Sequence, residues 1–234
     1  MVGDRGHPDV SSLGNALLVQ RGILSSKEAQ PVLSTLDPSN KTSYVTLSNG
    51  NLTATVTSLA SYAVVRSNTA KASGKWYLEM KNISGSGTGS GQTAFGLCNS
   101  SFSMGGSVYL GQDNNGIGWQ NNSSGLGGPI YSGGSKVGNC NEGGDGFTNG
   151  DILAIAVDVT NSLVWFNNLT QSSGWNTGSG SPSAGTGGIS ISNLSPVEPL
   201  YLCLAFYGTP TSSSVNFDDT TFTGTIPSGF SAWT

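Results

Sequence analysis

The residue types that catalyse reactions are scarce in this sequence. Its single histidine, His7, lies in a polar N-terminal segment, so the main part of the chain lacks the base for a Ser–His–Asp or Cys–His site. Cys98, Cys140 and Cys203 show no Cys-x-x-Cys spacing and indicate neither a thiolate metal site nor a disulfide framework. Cys98 and Cys203 lie in apolar runs typical of buried strands, whereas Cys140 lies in a loop, free or paired. We expect no metal and no cofactor.

Paired carboxylates are the remaining route to hydrolysis. A glycosidase needs two of them about 5–10 Å apart in one groove, but the sequence has only four glutamates. Glu79 shares the outward face of a strand with Lys75 and Lys81, a pattern typical of a solvated row of charges. Asp158 ends an apolar strand, where we expect it to accept hydrogen bonds and organise the following turn. We predict no catalytic residues and a protein that is not an enzyme.

Isolated aromatic side chains are better candidates, and their chemistry is binding. Trp175 and Tyr131 stand alone among Gly, Ser, Thr and Asn, and Trp119 ends a strand beside a loop. An exposed ring flanked by amides and hydroxyls stacks on a sugar while its neighbours hydrogen-bond to the sugar hydroxyls. We predict Trp175, Tyr131 and Trp119 as ligand-binding residues. The alternative is that Trp175 folds back and covers an edge of the fold.

The composition excludes several classes of partner. Charged residues make up 9% of the 234 residues, against about 25% in a typical globular protein. The net charge is −4, and the nine Lys and Arg residues are scattered singly, so no basic surface can hold a nucleic acid or an anionic membrane. No apolar run approaches the roughly 18 residues of a membrane span. We predict a soluble chain that neither binds nucleic acid nor inserts into a membrane.

Short stretches of alternating apolar and polar residues predict the elements that position these side chains. The two stretches that are apolar at nearly every position, residues 152–157 and 200–206, are predicted to be central strands. Because nine or more short strands occur without a helical period between them, we predict an all-β fold, an antiparallel β-sandwich. The predicted strands are residues 52–56, 62–66, 75–81, 93–98, 117–120, 151–159, 163–168, 200–207 and 213–217.

Three long polar connections separate these strands. They span residues 84–92, 121–150 and 171–188. Structureless insertions of this length are uncommon in a compact domain unless they bind something or are disordered, so we expect function to lie there. The oxygen-rich stretches 113–115 and 145–151 follow no known calcium-loop spacing, and calcium binding stays an alternative.

Residues 1–35 differ in texture from the rest of the chain. A short helix there would carry apolar side chains, but Gly14 and Gly22 weaken it. Without a core of its own, this segment must bury its apolar side chains elsewhere or fray. We predict an N-terminal arm over residues 1–35 that anchors the chain or contacts another subunit, followed by one sandwich domain over residues 36–234. The anchoring residues are Leu13, Leu17, Leu18 and Ile23.

Six segments, in order and spacing, resemble the SPRY (B30.2-like) domain, a bent β-sandwich related in layout to the concanavalin-type lectins. The fourth is the most specific, since a Gly-Asp turn, an apolar strand, a tight turn and an aromatic strand follow one another. One departure is Asn168-Leu169, where the family has Asn-Gly. The resemblance implies a non-catalytic recognition module that binds its partner with loops at one edge. The segments are GKWYLEM (74–80), AFGLC (94–98), IGWQ (117–120), GDILAIAVDVTNSLVWFNN (150–168), PLYLCLAFYG (199–208) and VNFDDTTF (215–222).

The Gly-, Ser- and Asn-rich loops, the sparse charge and the opening segment 36–53 resemble copies of this domain in bacteriophage virion proteins. The resemblance implies a structural and recognition protein on the virion exterior: a capsid decoration, spike or tail-fibre component. Its arm would contact other virion proteins or a second copy, and its sandwich would bind a glycan or protein of the host surface. The alternative is a stand-alone bacterial protein, glycan-binding or carbohydrate-active.

Overall fold

A computed structural model describes most of the chain from residue 33 onward. The predicted anchoring residues Leu13, Leu17, Leu18 and Ile23 lie outside the described residues, and the boundary between arm and sandwich stays a prediction. The described ranges are residues 33–57, 62–85, 91–105, 108–121, 128–140, 146–194, 198–208 and 210–234.

The described residues form strands and one short 3₁₀ helix, Ser192–Leu194, with no α-helix among them. Each of the nine predicted strands is present, with bounds that shift by a few residues. The strands are β1 (Leu36–Lys41), β2 (Val45–Ser48), β3 (Thr53–Val56), β4 (Ala63–Lys71), β5 (Lys75–Ser84), β6 (Gly91–Cys98), β7 (Gly116–Gln120), β8 (Pro129–Ser132), β9 (Ser135–Asn139), β10 (Ile152–Asp158), β11 (Leu163–Asn168), β12 (Ile189–Ser190), β13 (Leu200–Gly208), β14 (Thr211–Asn216) and β15 (Ser231–Ala232).

The strands pair into two sheets that form a β-sandwich, which confirms the predicted fold class. The front sheet has the order β1-β4-β13-β6-β7-β8-β9. The back sheet has the order β12-β11-β10-β5-β14-β3-β2, and β15 adds to β5 in parallel. All other pairs are antiparallel. The two nearly continuous apolar runs became β10 and β13, which have a partner on each side as predicted.

The main core lies between the sheets, because alternate side chains of the central strands point inward. Burial of one such side chain stabilises the fold by about 1.5–3 kcal/mol, so this layer supplies most of the hydrophobic stabilisation. Its fully buried members include Phe95 and Leu97 of β6, Leu202 and Leu204 of β13, Leu78 and Met80 of β5, and Leu153 and Ile155 of β10.

Each sheet also has an outer face, and the chain covers the two faces differently. On the front sheet, small side chains such as Ala94 and Cys203 pack under Phe102 and Leu110 of the connection from β6 to β7. On the back sheet, the C-terminal segment that follows β14 packs aromatic and aliphatic side chains onto the strands. The members of this cluster on the outer face of the back sheet include Tyr77, Ala154, Ala156, Trp165, Phe222, Ile226 and Phe230.

The polar connection 121–150 is not the featureless loop that the sequence predicts. It contains the hairpin of β8 and β9, which turns through Gly133 and Gly134. Both glycines have positive φ, 60° and 73°, the conformation that a two-residue hairpin turn requires. The connection 171–188 is also ordered: Asn176 is buried, and its side chain bonds to the backbone of Phe166 and Gly187. The expectation of long structureless loops is therefore wrong for the described parts of these connections.

The expected row of solvated charges on β5 is also wrong at its centre. Glu79 is 2% exposed, and its carboxylate accepts hydrogen bonds from the Tyr77 hydroxyl at 2.8 Å and from the backbone N–H groups of Thr223 at 2.9 Å and Gly224 at 2.7 Å. Alternation placed Glu79 on the outward face correctly. It could not show that a distant C-terminal segment covers that face.

Asp158 holds the turn after β10, as the sequence predicts. Its carboxylate accepts hydrogen bonds from the Asn161 backbone N–H at 2.9 Å and side-chain amide at 2.7 Å, and it lies 3.3 Å from the Lys75 ammonium. Burial alone would disfavour the charged carboxylate, but the Asn161 hydrogen bonds and the Lys75 charge outweigh it and lower the pKa of Asp158.

Candidate functional site

A pocket opens on the outer face of the front sheet, where β6 begins and β7 and β13 end. Its floor is a row of outward-facing residues on three neighbouring strands: Ala205 pairs with Ala94, and Ala94 pairs with Gln120. Two alanines side by side leave the floor low, because neither side chain extends beyond its Cβ atom. In the next row toward the end of the sheet, Tyr207 pairs with Gln92. The pocket is therefore deep at the alanines because larger side chains surround them.

Four tyrosines form a continuous arc around this floor, which we call the tyrosine pocket. The ring centroids of Tyr207 and Tyr62 are 5.0 Å apart, those of Tyr62 and Tyr109 6.0 Å, and those of Tyr109 and Tyr131 6.0 Å. These separations lie within the roughly 4.5–7 Å of favourable aromatic pairs. The rings therefore support one another, and the wall they make is already in place before any ligand arrives.

The pocket is small. Its volume is about 190 Å³, below the roughly 300–1,000 Å³ of sites that enclose a drug-sized ligand. It therefore accepts one ring-sized part of a larger partner. The lining residues are Tyr62, Gln92, Thr93, Ala94, Tyr109, Gln120, Tyr131, Ala205, Phe206 and Tyr207.

The polar groups of the tyrosine pocket are uncharged and mostly unused by the protein. Within the described part of the chain, none of the four tyrosine hydroxyls forms a hydrogen bond to another residue. Gln120 donates from its amide to the Leu110 carbonyl at 3.3 Å, which orients that side chain. Burial, and then the neighbouring Tyr207 and Tyr109, raise the pKa of Tyr62, so its hydroxyl keeps its proton at neutral pH and can donate it in a hydrogen bond.

The structure brings only one of the three predicted binding residues to this pocket. Tyr131 lines it. Trp119 is the neighbour of Gln120 on β7 but points the opposite way, so its ring is fully buried at 5.2 Å from the ring of Phe147. A ligand on the surface cannot reach it.

Trp175 lies on the other sheet. Its half-buried ring meets the ring of Tyr77 edge-on, with centroids 6.3 Å apart, and packs into the cluster on the outer face of the back sheet. Trp175 is therefore folded back, as in the alternative, but its ring covers the outer face of the back sheet and not an edge of the fold. Trp175, Trp119 and Tyr131 therefore occupy three separate environments and do not form one site.

Sequence reasoning missed most of the tyrosine pocket. Strand alternation could have found part of it, because Gln120 faces opposite Trp119, and Tyr207 faces opposite the apolar Phe206. The small outward residues Ala94 and Ala205 were a further signal of a shallow depression. Nothing comparable marked Tyr109, which reaches the pocket from an irregular connection.

Other groups that could have done chemistry are used to build the fold. The buried Asp151 carboxylate accepts hydrogen bonds from the Thr148 backbone N–H at 2.8 Å, the Asn168 amide at 2.9 Å and the Gln171 amide at 2.8 Å. Asn168 in turn accepts from the backbone N–H of Thr170 at 3.1 Å. This network orders the chain after β11, at Asn168-Leu169.

The three cysteines are free and buried. Burial raises the pKa of Cys140 to about 12, against the weaker opposing effect of nearby hydrogen bonds, and its thiol donates to the Phe166 carbonyl at 3.2 Å. Such a thiol is not a nucleophile near neutral pH. Among the described residues, no group of three or more His, Cys, Asp or Glu is placed to hold a metal ion. The described part also contains no helix with the length and hydropathy needed to cross a membrane.

Comparison with known proteins places the fold. No protein-family model matches the sequence, and no curated protein matches it either. Among solved structures, the SPRY domain of human HERC1 is similar with a TM-score of 0.53 and 16% identity, over 77% of this chain and 96% of that one. The PSpry domain of TRIM65 gives a TM-score of 0.51 and 11% identity, over 80% of this chain and 90% of that one.

Stonustoxin contains a similar region, with a TM-score of 0.53 and 15% identity over 79% of this chain and 27% of that one. At these identities the likeness establishes architecture and nothing about partners. The chain has a SPRY-like β-sandwich fold, in agreement with the resemblance of its strand motifs.

Proposed function

We propose that this chain is a non-catalytic recognition module that takes one group of its partner into the tyrosine pocket. The observation that carries the proposal is the pocket itself: a preformed aromatic wall, a floor of small residues and tyrosine hydroxyls that form no hydrogen bond to another residue within the described part of the chain. Pockets with a few convergent polar groups are the usual sites of binding. The buried carboxylates of Glu79, Asp151 and Asp158 each hold a turn or a crossing segment, which supports a structural use of these acids over a catalytic one.

The test compares tyrosines inside and outside the tyrosine pocket. The labelled full chain is applied to a printed array of bacterial oligosaccharides and peptides, together with the variants Tyr207→Ala, Tyr131→Ala and Tyr44→Ala. Tyr44 is the control, because it is exposed but does not line the pocket. We expect binding to at least one array component that both pocket variants lose and the control keeps. Binding that neither pocket variant weakens would refute the proposal.

The proposed biological setting is the outer surface of a bacteriophage particle. It rests on the polar, sparsely charged loops and on the separate leucine-bearing arm that precedes the sandwich in the sequence. In this setting the arm attaches the chain to another virion protein or to a second copy of itself, and the tyrosine pocket faces outward. The host surface then supplies the ligand, a glycan or a protein.

This setting is tested with the full-length chain in which Leu13, Leu17, Leu18 and Ile23 are all replaced by serine. We expect a folded protein with an unchanged melting temperature that no longer associates with purified phage particles or forms oligomers, as measured by co-sedimentation and light scattering. Association that survives the four substitutions would contradict the anchoring role. Recovery of the wild-type chain free in the medium, and not with particles, would favour a stand-alone bacterial binding protein.

A further inference from the structure

The described lining of the tyrosine pocket carries no formal charge. It consists of tyrosines, glutamines, alanines, a threonine and a phenylalanine, in a chain whose net charge is −4. A carboxylate or phosphate group that entered would lose hydration without gaining an opposite charge. The part of the partner that enters therefore carries no negative charge.

The lining is also unsuited to a purely apolar group. Gln92 and Gln120 stand at diagonal positions on adjacent strands, and both are half-buried. A primary amide both donates and accepts hydrogen bonds, and covering it with hydrocarbon would leave these groups without water or a partner. The entering group must bring hydroxyls or amides of its own.

The aromatic arc adds a third requirement for the entering group, which must present a flat face of C–H groups. The side chain of Tyr207 is 50% exposed, and Tyr62 supports it from one side at 5.0 Å. Stacking on such a ring favours a compact group with one apolar face, while its polar edge reaches the amides. A pyranose sugar is neutral, has a C–H face and carries hydroxyls around its edge, so it meets all three requirements in a volume of about 190 Å³.

We propose that the tyrosine pocket binds a single neutral pyranose ring of a polysaccharide, with Tyr207 against its C–H face and Gln92 and Gln120 hydrogen-bonded to its hydroxyls. This assignment rests on the proposed function of the same pocket. Because one ring fills the site, the affinity for a monosaccharide is low, and strong attachment to a surface requires several copies acting together.

Saturation-transfer NMR of the full chain with the methyl glycosides of glucose, galactose, mannose and N-acetylglucosamine tests this assignment. We expect transfer to at least one neutral glycoside, centred on the protons of one face, and at least 10-fold weaker binding of the matching uronic acid. Tyr207→Phe should retain the affinity within about 3-fold, whereas Tyr207→Ala should lower it about 10-fold. Gln92→Met removes the amide with little change of volume and should lower it by a similar factor, while Tyr44→Ala should leave it unchanged.

Three results would overturn the sugar assignment. They are the absence of transfer to every neutral glycoside, sugar binding that Tyr207→Ala leaves intact, and stronger binding of the uronic acids. A peptide on the array whose binding depends on Tyr207 and Tyr131 would also overturn it, while the proposed recognition role of the pocket would stand. If no array component of either class depends on these tyrosines, the recognition role itself fails.

Discussion

The two outer faces of the sandwich both carry apolar and aromatic side chains, but the chain covers the two faces to different extents. On the back sheet, the C-terminal segment packs Phe222, Ile226 and Phe230 onto the strands, and the Glu79 carboxylate fastens that segment. On the front sheet, the connection from β6 to β7 covers one half of the face through Phe102 and Leu110. No segment within the described residues covers the other part of the face, which is the tyrosine pocket.

The difference shows that an aromatic residue in a polar loop is not by itself a sign of binding. Trp175 has that context, yet it completes the cover of the back sheet. The pocket tyrosines differ because no segment of the described chain lies over them and because each carries a hydroxyl that tolerates water. Whether an aromatic side chain on a sheet face is covered or lines a binding pocket depends on the segment that crosses that face. The crossing segment is distant from the strands in sequence.

The largest expected effect separates a core tryptophan from a covering one. Trp119→Ala removes a fully buried ring beside Phe147 and Phe166 and should lower the free energy of unfolding by about 3–5 kcal/mol. Trp175→Ala removes a half-buried ring and should cost about 1–2 kcal/mol. Urea denaturation of both variants measures the gap. Equal losses would mean that the two rings share one environment, contrary to the account given above.

The next prediction tests whether Glu79 holds the C-terminal segment on the outer face of the back sheet. Glu79→Ala leaves the Thr223 and Gly224 N–H groups and the Tyr77 hydroxyl without their acceptor, and each of these three unsatisfied donors costs about 1 kcal/mol when water can enter the vacated space. We expect a loss of about 3 kcal/mol and faster amide exchange at Thr223 and Gly224, measured by NMR.

Lys81→Ala is the matched control for Glu79→Ala, because Lys81 is exposed on the outward face of the same strand. It should change neither stability nor exchange by a measurable amount. Exchange rates at Thr223 and Gly224 that stay at the wild-type value in Glu79→Ala would show that the carboxylate does not hold the segment.

A smaller effect concerns pH. The pKa of Asp158 is lowered in the folded chain, so its stabilising contribution is complete above the unfolded value of about 3.9 and is lost as the pH falls through the folded value. Asp158→Asn should cost about 1 kcal/mol at pH 7, and the difference from wild type should shrink below about pH 4. Thermal unfolding between pH 3 and 8 tests this, and a difference that does not vary with pH would remove the ionic contribution.

Local patterns in the sequence were sufficient to predict the sandwich. Alternation marked the inward face of β3 and β5, and the unbroken apolar runs marked β10 and β13, because a strand buried on both sides needs no polar face. The role of Asp158 was predictable because its turn partner Asn161 lies only three residues away. Contacts between residues that are close in sequence can be predicted from local sequence patterns.

The tyrosine pocket and the cover of the back sheet depend on contacts between distant residues. Tyr62 and Tyr207 come together only because β4 and β13 pair, and Glu79 meets Gly224 only because the chain returns across β5. Neither contact leaves a local pattern. The hairpin of β8 and β9 is a different case: the Gly133-Gly134 pair between short strands was visible, but the polar surroundings hid the strand signal.

The most direct test of the account is the location of a bound ligand. NMR measurement of intermolecular nuclear Overhauser effects, with the full chain and whichever array component it binds, reports which aromatic rings lie within contact distance of that ligand. We predict effects to the ring protons of Tyr207, Tyr62 and Tyr131 and none to Trp175. Effects confined to Trp175 and Phe222 would place the ligand on the back sheet and contradict the account.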